Sequence, residues 1–112
     1  SKKDPLQDVL DAIAAMEPDD MAIAERLHEV ITTAAPELQP KTWYGFPSYA
    51  KDGKVLVFYQ PAGKVETRYG TLGFNDIAQL DHGNMWPTSF AIKKMTKALE
   101  KEIAALVKKA VG

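Results

Sequence analysis

The 112-residue sequence contains no cysteine. That absence removes disulfides, thiolate nucleophiles and cysteine-ligated metals together, and it fits a reducing compartment. Long apolar runs are also missing, since no stretch approaches the ~20 residues of a membrane span. Neither sign of charge dominates. Lys and Arg number 14 against 15 Asp and Glu, a net charge of −1 that argues against a dedicated nucleic-acid binder. Residues Ser1 to Pro5 offer no apolar stretch before a cleavage site. A cytoplasmic protein with no membrane partner is therefore expected. Gly-x-Ser-x-Gly, P-loop and dinucleotide fingerprints do not occur, so no catalytic residue is assigned and no enzymatic activity is expected.

What is present is an ordinary globular mixture, 46% hydrophobic and 26% charged, in a chain of single-domain length. One domain spanning residues 1–112 is expected. Residues 1–40 carry nine acids against three bases, and residues 41–112 eleven bases against six acids, so the halves have opposite charge.

Asp4-Pro5 reads as a helix cap with proline in the first turn, and Leu6, Val9, Leu10, Ile13 and Met16 follow at helical spacing. Glu17-Pro18 opens a second helix with the stripe Ile23, Ala24, Leu27, Val30, Ile31 and Ala34, stopped by Pro36. From Lys41 the pattern becomes β-prone. Short strands are expected at 41–44 and 48–50, with an Asp52-Gly53 hairpin turn leading into a strand at 55–60. Further strands are expected at 65–72 and within 85–92, with a short helix over 75–80 between them. A last helix starts near Lys97 behind a Thr96 cap. Helices, then strands, then a helix spell an α+β fold with an antiparallel sheet of about four to five strands. Val55-Leu56-Val57-Phe58-Tyr59 does not alternate in polarity. Both faces of that strand are therefore expected to be apolar, with one left for an intramolecular cover, a second copy or a ligand.

The stretch Lys41-Thr42-Trp43-Tyr44-Gly45-Phe46-Pro47-Ser48-Tyr49-Ala50-Lys51-Asp52-Gly53-Lys54 resembles the signature of the YdhG-like family of small bacterial proteins. Tyr69 to Phe74 and Met85 to Thr88 are similar to its actinobacterial-type branch. The likeness runs from about Asp8 to Val111 and implies an α-β-α, frataxin-like layout. It implies no catalytic residues. Because some members are described as frataxin-like iron chaperones, it also implies weak iron binding by surface carboxylates.

Two sets of candidate residues follow. Trp43, Tyr44, Phe46, Tyr49, Tyr59 and Trp86, with Arg68 nearby, form an aromatic group suited to core packing or to a small-molecule or protein partner at the sheet. Asp4, Asp8, Asp11, Glu17, Asp19 and Asp20 supply the oxygen ligands that iron prefers, and equally suit a solvated helix face. The expected function is a non-enzymatic binding protein using the aromatic sheet face. Iron handling by the acids is the alternative, and a small-molecule enzyme stands behind both. No firm cofactor is expected beyond weakly bound iron, and monomer and homodimer both remain open.

Overall fold

The structure, a computed structural model, describes residues 4–112. Asp4 caps helix α1 (Pro5–Ala14) by accepting the Leu6 amide at 3.2 Å, and Pro5 sits at the first helical position, where its missing N–H costs nothing. Helix α2 (Pro18–Ala34) follows after a proline restart. Five strands then form one antiparallel sheet in chain order: β1 (Gln39–Trp43), β2 (Phe46–Lys51), β3 (Lys54–Gln60), β4 (Gly70–Phe74) and β5 (Ser89–Ile92). Helix α4 (Lys97–Val111) ends the chain, with Thr96 accepting the Leu99 amide and Lys108 and Lys109 in the last turn, where cations favour the helix dipole. A short helix α3 (Ala62–Val65) lies between β3 and β4. The α+β architecture with helices at both chain ends is as the residue pattern predicts.

Two tight turns set the register of the first three strands. Asp52 and Gly53 have φ of 51° and 80°, and Tyr44 and Gly45 have 51° and 76°. Positive φ at both central residues is the turn that matches the twist of two-residue hairpins. Between β2 and β3 the register then slips: Tyr49 pairs with Val57 but Ala50 pairs with Val55, which leaves Leu56 as an extra residue in β3. Asn75 secures this bulge, its amide donating to the Leu56 carbonyl at 3.0 Å and its side chain to the Val55 carbonyl at 3.2 Å.

The bulge explains why β3 does not alternate in polarity. Leu56, Val57 and Tyr59 all join the core with Val9, Ile13, Leu27, Ile31, Ile103 and Val107 from the helices. Phe58 is left outside that core. The run fails to alternate because one extra residue turns two neighbours inward, while Phe58 and Val55, the partner of Ala50, keep the other face apolar as expected.

Other departures are local. The segment expected as a strand over 65–72 begins as α3 and becomes extended only at Gly70, because the Asp20 carboxylate accepts the Ala62 and Gly63 amides at 3.2 and 2.9 Å and holds that turn helical. No helix forms over 75–80, where turns project Ala78 and Leu80 into the core. Only 89–92 of the 85–92 segment pairs, as an edge strand. Helices α2 and α4 are joined by a bidentate Arg26–Glu100 pair at 3.0 and 2.9 Å, in which each residue opposes the net sign of its own half of the chain. No helix among the described residues is long and apolar enough to cross a membrane.

His28 of α2 is half-buried, and its Nδ1 lies 2.8 Å from the buried Tyr49 hydroxyl. Burial lowers its pKa, with the Glu29 charge opposing only in part. The unfolded chain, with an imidazole pKa of about 6.5, then binds the proton more readily than the folded one. Its contribution to stability is present above about pH 6.5 and is lost as pH falls below it. Urea midpoints measured from pH 8 down to pH 5 are expected to drop in the wild type and to drop less in His28→Gln.

Candidate aromatic site on the open sheet face

One row crosses all five strands: Lys41, Ser48, Phe58, Gly73 and Ser89 are successive cross-strand partners. Paired residues share a face. The Phe58 side puts Lys41, Ser48 and Ser89 on the face opposite the helical layer. The Ser48 hydroxyl donates to the Lys41 carbonyl at 2.6 Å, which removes its polarity from the surface. Gly73 leaves room for the Phe58 ring, since a Cβ there would come within 2.7 Å of Phe58 Cε2. In the neighbouring rows, Trp43 pairs with Phe46 and Thr71 with Ala91. Small side chains around a central phenylalanine make a shallow floor.

Three rings form a chain across this floor. Trp43 lies 5.0 Å from Phe58 and 4.9 Å from Tyr44 between centroids, the latter contact edge-to-face. Tyr44 is 78% exposed although it occupies a left-handed turn position that asparagine or glycine fills more cheaply. Phe46 carries the Lys64 ammonium 4.7 Å above its ring, and the same ammonium donates to the Tyr44 carbonyl at 2.9 Å. The cations at this end are Lys41 and Lys64. No carboxylate stands in the transverse row or among the paired residues beside it.

Of the seven aromatic-group candidates, Trp43, Tyr44 and Phe46 come together here. Tyr49 and Tyr59 do not. Both are fully buried on the helical side, and burial raises both hydroxyl pKa values well above the ordinary one. Trp86 packs against the core margin from the loop before β5, and Arg68 lies 5.2 Å from the Tyr69 ring near the start of β4. Phe58 is the residue that sequence reasoning missed. Its signal is its place in the non-alternating run Val55–Tyr59, and the bulge decides which of Phe58 and Tyr59 faces inward.

The acidic candidates are spread over α1 and the start of α2, and several already bind chain donors. Asp4 accepts the Leu6 amide, Asp11 accepts Gln7 Nε2 at 2.9 Å, and the buried Asp20 caps α3. Asp8 is half-buried, while Glu17 and Asp19 are exposed. Among the described residues, no group of three or more His, Asp or Glu side chains is placed to hold a metal ion. Neither a family model, nor a curated protein, nor a solved structure matches this chain.

Proposed function

We propose that this is a non-enzymatic cytoplasmic binding protein of YdhG-like type that takes a planar, anionic small molecule on the open face of its sheet. The observation that carries the reading is Tyr44. An exposed aromatic ring held at a left-handed backbone position costs roughly 1–2 kcal/mol, a strain that marks functional sites when packing does not demand it. Its ring continues the Trp43–Phe58 pair into solvent and so extends a stacking surface. Lys41, with no opposing carboxylate in the paired rows, favours an acidic group on the ligand. The area of three or four rings suits one or two stacked rings rather than a folded partner.

The test uses intrinsic fluorescence. Trp86→Phe leaves Trp43 as the sole reporter, and adenosine monophosphate and an aromatic carboxylate such as indole-3-acetate serve as probes. Saturable quenching is expected, and Phe58→Ala in the same background should weaken binding about tenfold, within the ~1–3 kcal/mol of one stacking contact. The uncharged analogue adenosine should bind more weakly, increasingly so at low salt. Absence of quenching by both probes would sink the reading.

A further inference from the structure

Apart from the sheet face, a groove of about 430 Å³ runs between α2 and α4. Its floor is the buried Val30 with Ala34 and Ala104 beside it. Lys97, Lys101 and Lys108 of α4 stand exposed along its rim. Arg26 and Glu100 answer each other through their bidentate pair, which leaves three lysines against the one carboxylate of Glu29. The groove is apolar at its base and basic at its edge.

A surface of the opposite kind lies on α1. Among the described residues, Leu6 and Leu10 are the large apolar side chains that the three long helices leave exposed, at 38% and 39%. With the exposed Ala14 they form a ridge at i, i+4 and i+8. From residue 4 to residue 14 the helix and its cap carry Asp4, Asp8 and Asp11 and no base. Asp4 and Asp11 follow one side of the ridge, seven residues apart. Lys101 and Lys108 have the same spacing on α4, about 10 Å along either axis. The ridge does not reach the groove of its own chain. Helix α1 packs on β1 and β2 while α2 packs on α4, and no α1 residue lines the groove.

We propose that the acidic leucine ridge of α1 in one copy of this chain seats in the α2–α4 groove of the next. Leu6 and Leu10 cover Val30, Ala34 and Ala104, and the Asp4 and Asp11 charges come to Lys101 and Lys108. The two surfaces differ, so the contact is heterologous and copies add head to tail. Two leucines in one groove cover less than the ~1,200 Å² of stable complexes, so association is weak and rises with concentration. Neither surface includes a residue of the aromatic face, so each proposal can fail without the other.

The experiment measures weight-average mass by sedimentation equilibrium from about 10 µM to about 1 mM protein. In ~20 mM salt the mass is expected to rise with concentration, and ~0.5 M salt should weaken association about tenfold. Leu6→Gln with Leu10→Gln removes the ridge, and Lys101→Glu with Lys108→Glu reverses the rim. All four sites are exposed, so the far-UV circular dichroism of both double variants should match the wild type. Each variant alone should stay a monomer. Mixed in equal amounts they should form a one-to-one pair that grows no further, because one keeps the groove and the other keeps the ridge. If the charge reversal unfolds the chain, Lys101→Gln with Lys108→Gln takes its place with a smaller loss expected. The proposal is overturned if the wild type stays monomeric at the highest concentration in low salt, or if either variant associates as the wild type does. It is equally overturned if the mixture yields no pair. A monomeric wild type that binds an acidic amphipathic peptide would give the groove to a different protein and overturn it too.

Discussion

Leu56→Ala is expected to destabilise the protein by about 2–5 kcal/mol, the range for removing a fully buried leucine and leaving a cavity. Strict alternation along β3 would put Leu56 beside Phe58 on the open face, where truncation to alanine should cost far less. The slipped register between Ala50 and Val55 reverses that placement, and Leu56 is 0% exposed among helix-side residues. Phe58→Ala supplies the contrast. Its ring is half-buried and outside the core cluster, so it loses stacking on Trp43 and cover over Gly73 but opens no sealed cavity. Its cost should be smaller than that of Leu56→Ala although the side chain is larger. Urea unfolding of both variants with unchanged slopes checks the ordering. Equal losses would mean that the bulge does not direct Leu56 inward.

The same bulge marks the boundary of what the residues alone make legible. Signals carried within a few positions translate directly into structure: Asp4-Pro5 starts α1, Asp52-Gly53 turns β2 into β3, and Thr96 starts α4. The order of helices and strands follows from the change of hydrophobic period near Lys41. Features set by distant partners are not legible. The α3 turn depends on Asp20, 42 residues earlier, and nothing in Ala62-Gly63-Lys64-Val65 announces it. The assignment of Tyr59 to the core and Phe58 to the surface depends on one unpaired residue. The aromatic site was therefore half readable. Trp43, Tyr44 and Phe46 cluster because a two-residue turn joins them, while Tyr49 and Tyr59 share only their residue type with that group. Among the acids, Asp20 illustrates the same limit: a first-turn aspartate next to Asp19 looks solvated, yet it is buried as a cap for another element.

Gly70→Ala should be the more damaging of two alanine substitutions in β4, and the comparison with Gly73→Ala isolates why. Both glycines lie in the strand under an aromatic ring, and at both an added Cβ would stand within 2.7 Å of ring carbons. What differs is the freedom of the ring. Phe58, over Gly73, borders solvent on the open face and can swing aside, giving up part of its contact with Trp43. Tyr59, over Gly70, is sealed in the core, paired through the backbone with Leu72 and hemmed in by Asp20 on the helical side. A close-packed interior cannot yield by that much without moving backbone or forcing a poor rotamer. Gly70→Ala is expected to cost about 3 kcal/mol, the upper end for overpacking, and Gly73→Ala about 1 kcal/mol. Thermal or urea unfolding gives both values. The double variant Gly70→Ala with Tyr59→Leu is decisive for the mechanism. Shortening the blocked side chain should recover part of the loss, so the two changes together cost less than their separate effects combined. Strict additivity would show that the strain at Gly70 arises from its backbone and not from the tyrosine ring above it.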